Sequence, residues 1–148
     1  MKERTSSPNI TDLKEGEIFV FGSNQGGRHG KFAAKTALKW GAKWGQAAGL
    51  QGRTYGIPTK DKSVKRVLAI TEIKPYVDDF IKFAKENPKL TFLVTEIGCG
   101  ASGYKPKDIA PLFEAAVDIP NIHLPERFWH KLIKKEESQN NNETFSEK

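Results

Sequence analysis

Cysteine is almost absent from this 148-residue sequence, in which Cys99 is the single one. That number excludes an intramolecular disulfide, and no Cys/His grouping has the spacing of a zinc site. Long apolar runs are missing too, both at the amino terminus, where a secretory signal would lie, and in the interior, where a bilayer-spanning helix would need about 20 apolar residues. These absences predict a cytoplasmic protein in a reducing compartment, with no metal site, no cofactor and no membrane contact.

Length and composition predict one globular domain. The hydrophobic fraction is 37% and the charged fraction 28%, as in proteins with a packed core and a charged surface. The three tryptophans are interpreted as packing residues first and as stacking platforms second. We expect an amino-terminal arm over residues 1–15, the folded domain over residues 16–134 and a disordered polar tail over residues 135–148.

A net charge of +6 favours an anionic partner, which could be a nucleic acid, an acidic protein or a phosphate-bearing ligand. Part of the excess comes from four lysines that recur every fourth residue and are therefore predicted to lie along one face of a helix: Lys31, Lys35, Lys39 and Lys43. A solvated helix face is one interpretation of this stripe. The other is a basic nucleic-acid-binding protein without catalytic activity, although no nucleic-acid-binding motif is present.

Short β-branched and aromatic runs alternate along the chain with segments of helical apolar spacing. The predicted strands cover residues 16–21, 54–57, 90–95 and 121–124, and the predicted helices cover residues 31–40, 76–85, 107–117 and 125–134. Pro58 is expected to end the second strand, and Pro75 to precede the second helix. This order predicts an α/β fold with a largely parallel sheet, helices on both faces and a ligand site beyond the carboxyl ends of the strands.

A glycine-rich loop follows the first predicted strand and leads into a helix. Its candidate ligand-binding residues are Gly22, Ser23, Asn24, Gly26, Gly27, Arg28, His29 and Gly30. Exposed backbone N–H groups, a helix amino terminus and the Arg28 guanidinium suit a phosphate or pyrophosphate. His29 is the histidine best placed to act as a base or to contact phosphate. The glycine spacing matches neither the dinucleotide fingerprint nor a Walker A loop, and a flexible surface turn is the alternative interpretation.

A second glycine-rich loop follows the strand predicted over residues 90–95. Its candidate ligand-binding residues are Gly98, Cys99, Gly100, Ala101, Ser102, Gly103 and Tyr104. Three glycines would let a ligand phosphate approach the backbone closely, and Gly100 and Gly103 are expected to bend the chain with positive φ or to admit that phosphate. Because no histidine is near Cys99 in sequence, we interpret this thiol as packing a tight turn rather than as a nucleophile.

Taken together, three fragments resemble the macrodomain superfamily: FGSN-x-x-GRHG-x-x-AA, GLQG-x-x-YGIPTKD and VTEIGCGASGY. The resemblance covers roughly residues 17–125 and is closest to a bacterial and phage-related branch. It implies a three-layer sandwich around a mixed, largely parallel sheet, with ADP-ribose or a derivative bound in a cleft at the strand ends. It also implies that Asn24 and residues 26–30 face the distal ribose, and that residues 98–104 wrap the diphosphate.

The Gly-Cys-Gly turn and the Thr-Lys pair are also similar to the branch that contains terminal ADP-ribose protein glycohydrolase, in which a lysine attacks the ribose and an aspartate assists. Lys60 matches that lysine, whereas Ser102 stands at the aspartate position. The candidate catalytic residues are therefore Lys60, Asp61 and Asn24, and binding without turnover is the alternative. The expected partner is an ADP-ribose-like small molecule or an ADP-ribosylated macromolecule.

Overall fold

A six-stranded sheet lies at the centre of the structure, a computed structural model that describes residues 2–133. The tail predicted over residues 135–148 lies outside the described residues. In chain order the elements are the 3-10 helix η1 (Lys2–Arg4), β1 (Thr5–Ser6), β2 (Glu17–Asn24), α1 (Phe32–Leu38), β3 (Gly49–Gln51), β4 (Thr54–Lys60), α2 (Ile70–Glu86), β5 (Thr91–Val94), α3 (Pro106–Ile109), the 3-10 helix η2 (Ala110–Asp118), β6 (Ile122–Pro125) and α4 (126–133). Within residues 2–133, none of the helices has the length and apolar character that crossing a membrane requires.

The strands are arranged in the order β1-β6-β5-β2-β4-β3. All neighbouring strands are parallel except β3 and β4, which are antiparallel. The prediction of an α/β fold with a largely parallel sheet is therefore confirmed. The chain leaves β2 for β4 on one side, and α2 then carries it to β5 on the other side. The carboxyl ends of β2, β4 and β5 consequently meet at a topological switch point, where open α/β sheets bind ligands.

Two hydrophobic cores lie on opposite faces of this sheet, and β2 contributes to both. Ile18 and Val20 belong to the larger core, with buried residues of α2 and α4. Phe19 and Phe21 belong to the smaller core, with buried alanines of α1. Successive strand residues point to opposite faces, so the unbroken apolar run of β2 is explained by burial on both sides. Helices cover both faces of the sheet, as predicted.

Two predicted boundaries are wrong, and both were placed at a proline: the end of the second strand and the start of the second helix. β4 continues past Pro58 to Lys60. The pairing with β3 ends at Gly56, and the chain returns to this edge only at Thr59 and Lys60, which contact Leu68 and Val67. Pro58 lies in the gap between them, where a proline needs no ladder donor. Helix α2 begins at Ile70 and contains Pro75 in its interior.

Contacts in its first two turns explain why this helix starts earlier than predicted. The Glu72 carboxylate accepts a hydrogen bond of 3.0 Å from the backbone N–H of Ala69 and so caps the first turn. Burial of Ile73 and Val77 on one face then holds the first two turns against the sheet. Capping and burial together outweigh the hydrogen bond that Pro75 cannot donate.

Helix α1 is shorter than predicted, and it does not form the lysine stripe. It ends at Leu38, and the chain turns away through Gly41, whose φ is +102°. Lys31 precedes the helix, Lys39 follows its last residue, and Lys43 lies in the loop beyond. The four lysines therefore do not lie along one helix, and the nucleic-acid interpretation stays a prediction.

The first described residues contribute to the sheet, within the segment predicted as an arm. Strand β1 pairs in parallel with β6. The Arg4 guanidinium donates hydrogen bonds of 2.6 to 3.1 Å to carbonyl oxygens at the end of η2 and the start of β6: Ala116, Val117, Ile119 and Ile122. The indole N–H of Trp129 donates to the Arg4 carbonyl at 2.7 Å. Arg4 thus joins the amino terminus, η2 and α4.

Arg4→Ala is expected to lower the free energy of unfolding by about 1–2 kcal/mol, because these carbonyls lose a charged donor. Arg53→Ala is the matched control, since the Arg53 guanidinium is recorded with one hydrogen bond, to the Lys14 carbonyl on the surface. The control should change stability by at most about 0.5 kcal/mol. Urea denaturation measures both variants, and equal losses would contradict the role of Arg4.

Candidate functional site

A cleft of about 570 Å³ opens at the carboxyl ends of β2, β4 and β5, and its size is typical of small-molecule sites. Both glycine-rich loops contribute to its lining. The predicted residues that line it are Gly22, Ser23, Asn24, Arg28 and Gly30 from the first loop, Lys60 from β4, and Gly98, Gly100, Ala101 and Ser102 from the second loop. The structure therefore brings the two loops together around one cavity.

The Asn24 side chain closes the first loop on itself. Its amide nitrogen donates to the Arg28 carbonyl at 2.8 Å, and its amide oxygen accepts from the Arg28 backbone N–H at 2.9 Å. The side chain is buried, with 6% of its surface exposed. Because both polar groups are engaged with the backbone, Asn24 shapes the loop that presents Arg28 to the cleft.

Gly26 and Gly27 lie behind the cleft rather than in its lining. Gly27 has φ of +64°, and a Cβ there would lie 2.4 Å from the backbone carbon of Gly45. The Gly27 carbonyl accepts a hydrogen bond of 2.8 Å from the Gly45 N–H. The glycine therefore permits close contact between two stretches of backbone, a packing role that spacing along the chain does not reveal.

His29 is fully buried and does not line the cleft. Its Nε2 lies 3.0 Å from the Gln46 carbonyl, to which it donates a hydrogen bond. Within the described residues the buried Nδ1 has no hydrogen-bond partner. The ring packs edge-on against Phe21 and Trp44. His29 therefore packs against Phe21 of the smaller core and does not line the cleft.

Positive charge dominates the cleft. Arg28, Lys31 and Lys60 line it, and none of the three forms an ion pair within the described residues. Among those residues the only carboxylate in the lining is Glu96, which Arg127 holds with N–O distances of 2.5 and 2.6 Å. The cleft therefore attracts anions. No three His, Cys, Asp or Glu side chains between residues 2 and 133 come together as a metal site would require.

Two exposed aromatic side chains line the same cleft. The sequence interpretation did not select Phe32, and it gave Trp44 packing as its first role and stacking as its second. Phe32 is 72% exposed and Trp44 is 64% exposed. Phe32 lies next to the apolar face of α1, on the side that carries Lys35 and Thr36, and an aromatic residue on a polar face was the available signal. Exposed rings of this kind suit stacking against a flat ligand group.

Asp61 lies outside the cleft lining and organises the loop after β4. Its carboxylate accepts hydrogen bonds from the Ser63 hydroxyl at 2.8 Å and from the backbone N–H groups of Lys65 and Arg66 at 3.2 Å. The Ser63 hydroxyl is the main reason that the pKa of Asp61 is lowered. Within the described residues Asp61 pairs with Arg66 and not with Lys60. The sequence predicted that the adjacent Lys60 amine and Asp61 carboxylate act as a pair. In the structure only Lys60 lines the cleft, and Asp61 holds its own loop.

The second loop divides into residues that build its turn and residues that reach the cleft. Gly98 has φ of +76° and Gly103 has φ of +81°, whereas the expected positive φ at Gly100 is absent. The Tyr104 hydroxyl donates to the Leu68 carbonyl at 2.7 Å, away from the cleft. Cys99, Gly103 and Tyr104 do not belong to the lining, which contains Gly98 and Gly100 to Ser102.

A pair of hydroxyl groups links the second loop to β4 at the cleft. Ser102 Oγ and Thr59 Oγ1 lie 2.9 Å apart, and Thr59 Oγ1 also donates to the Ser23 carbonyl at 3.4 Å. Thr59 is buried with 4% exposure. It joins the ends of β2 and β4 to the second loop. The sequence interpretation did not select Thr59, although it lies within the Pro-Thr-Lys-Asp fragment.

Comparison of this chain with protein-family models, curated proteins and solved structures found no match. The macrodomain resemblance therefore stays a prediction that rests on the quoted fragments. The functional conclusion below depends on the geometry and charge of the cleft.

Cys99→Ser is expected to change ligand affinity by no more than about twofold, as for a substitution away from the site. Burial raises the pKa of the Cys99 thiol to about 11, and the Glu96 carboxylate adds to this rise, so the reactive thiolate is disfavoured at neutral pH. Calorimetric titration of the variant measures the effect. A large loss of affinity would place the thiol in contact with the ligand.

Proposed function

We propose that the cleft binds ADP-ribose or a related nucleotide derivative, as a macrodomain-like module. The observation that carries this proposal is that one cavity combines two exposed aromatic rings with three cationic side chains that form no ion pair within residues 2–133. A nucleotide diphosphate needs both features, because its phosphates are anionic and its base is flat. Arg28 would hold a phosphate through two parallel hydrogen bonds, and Phe32 and Trp44 would pack against the base.

The second loop supplies space for the phosphates in this proposal. Gly100 is exposed in the lining, and a Cβ there would meet no atom within 4 Å. A ligand group can therefore approach the backbone at this point. Ser102 also lines the cleft, where its hydroxyl donates to Thr59 Oγ1, because Thr59 donates its own proton to the Ser23 carbonyl. The open backbone at Gly100 therefore adds space for the phosphates beside the charge of Arg28 and Lys60.

We propose binding without turnover. Two of the three predicted catalytic residues, Asn24 and Asp61, use their polar side-chain groups to organise loops. Lys60 lines the cleft, and within residues 2–133 its side chain forms no hydrogen bond or ion pair. Ser102 stands at the position where the lysine-dependent pattern has an aspartate. A nucleophilic lysine needs an assisting acid or base, and the Glu96 carboxylate is held by Arg127.

Isothermal titration calorimetry with ADP-ribose tests the proposal, with AMP and ribose 5-phosphate as probes of each half of the ligand. We expect a Kd of about 1–100 μM for ADP-ribose and weaker binding of both halves. Absence of binding to ADP-ribose, NAD and ATP would reject the proposal. Release of ADP-ribose from an ADP-ribosylated peptide or oligonucleotide, followed by chromatography, would overturn the statement that the protein binds without turnover.

Lys60→Ala is expected to weaken ADP-ribose binding by about 3- to 10-fold, because an ammonium group contributes to phosphate binding as a point charge. Lys62→Ala is the matched control, since Lys62 is exposed two residues further on and does not line the cleft. The control should bind as the unchanged protein does. Equal losses in both variants would show that Lys60 acts only through the general charge of the surface.

A further inference from the structure

A second groove, of about 600 Å³, lies between the start of α3 and helix α4. Five basic side chains line it: Lys105, Lys107, Arg127, His130 and Lys131. All five are exposed to solvent. Among residues 2–133, Glu126 supplies the only carboxylate in this lining. None of these residues belongs to the cleft described above, so the groove is a separate site.

The positive charge of the groove comes mainly from three lysines that form no ion pair within residues 2–133: Lys105, Lys107 and Lys131. Arg127 pairs with Glu96, and within the described residues the other four basic side chains form no ion pair. Exposed lysines usually lie scattered over a surface, where each is solvated separately. Here they converge from two elements on one concave surface, which concentrates their field and favours an anionic occupant.

The composition of the lining distinguishes between kinds of anionic partner. Apart from Pro106, every side chain in it is charged or is a histidine. A protein partner would need large apolar or aromatic side chains at the centre of its interface, and among residues 2–133 none lines the groove: the apolar part of its surface comes from Pro106 and from the aliphatic stems of the charged side chains. A nucleic-acid backbone needs only lysine and arginine contacts to its phosphates. The groove therefore fits a phosphate backbone better than an acidic protein.

We propose that the groove between α3 and α4 binds the phosphate backbone of nucleic acid, without sequence preference. Lys105 and Lys107 contact it from the start of α3, and Lys131 contacts it from α4. The site lies outside the cleft and does not rest on ADP-ribose binding.

Fluorescence anisotropy with a labelled oligothymidylate of about 20 nucleotides tests this proposal over a range of salt concentrations. The variant Lys105→Ala/Lys107→Ala is expected to bind about 10-fold more weakly near 50 mM salt. The slope of log K against log salt should fall in magnitude by about 1.4, from about 0.7 for each lost phosphate contact on a single strand. Lys131→Glu, on the other side of the groove, is expected to weaken binding as well.

Lys85→Ala/Lys89→Ala is the matched control, because both lysines are exposed and lie near the opposite end of the sheet, before β5 begins. It removes the same charge and should retain nearly full affinity. Equal weakening in the control, or unchanged affinity in the groove variants, would overturn the proposal. Displacement of the oligonucleotide by saturating ADP-ribose would place it in the cleft instead. Equally strong competition by polyglutamate at matched charge would indicate an acidic protein partner and reject the nucleic-acid assignment.

Discussion

Gly27→Ala is expected to lower the free energy of unfolding by about 3–5 kcal/mol, from backbone strain and overpacking together. The residue has φ of +64°, and its Cβ would lie 2.4 Å from the Gly45 carbon and 2.5 Å from the Gln46 nitrogen. No side-chain rotation relieves an overlap between two stretches of backbone. The loop must move, and Arg28 moves with it, so ligand affinity should fall in the same variant.

Gly45→Ala provides the control for backbone conformation. Gly45 has φ of +95°, but a Cβ there would meet no atom within 4 Å. Its substitution should lower stability by only about 1–2 kcal/mol, the conformational part of the effect. Urea denaturation of both variants separates strain from overlap. If both variants lost the same free energy of unfolding, the close contact between Gly27 and Gly45 would not contribute to the effect of Gly27→Ala.

Arg28→Ala is expected to weaken ADP-ribose binding by about 1.5–3 kcal/mol, roughly 10- to 150-fold, as for the loss of a charged hydrogen-bond donor. Arg28 is exposed, lines the cleft and forms no ion pair within the described residues. The free energy of unfolding should change by less than about 0.5 kcal/mol, because its side chain supports no part of the fold.

Two further variants identify what Arg28 contributes. Arg28→Lys keeps the charge but loses the planar fork, so its affinity should lie between those of the unchanged protein and Arg28→Ala. Arg66→Ala removes an arginine that binds Glu72 and lies outside the cleft lining, and it should leave affinity unchanged. Calorimetry measures all three. A full loss with Arg66→Ala would mean that overall charge, rather than the cleft, governs binding.

Much of the architecture could be predicted because the signals are local. The apolar run of β2 and the apolar run ending at Val94 each break into a glycine-rich loop, and both loops reach the cleft. Parallel strands place their carboxyl ends at one edge of a sheet, so the two loops had to be neighbours once the α/β order was recognised. The quoted fragments placed Lys60 near them, and it lines the same cavity.

The roles of individual loop residues could not be predicted, because they depend on partners distant in sequence. His29 looked available in its glycine-rich loop, yet it contacts Gln46 and is buried against Phe21 and Trp44. Asp61 looked like a partner for Lys60, yet its carboxylate is used by Ser63 and nearby backbone groups. Hydrogen bonds of this kind depend on how the loop closes, which composition does not specify.

The sequence by itself determined the class of fold, the sheet edge at which the cleft lies and the excess of positive charge, because hydrophobic periodicity, strand order and composition act over short stretches of chain. Only the tertiary structure decided which polar groups face the cleft. It buried His29, left Phe32 and Trp44 exposed at the cleft, and gathered the lysines of α3 and α4 into a second groove. These outcomes depend on contacts between elements far apart in the chain, whose geometry is set when the helices pack on the sheet and the loops between them close.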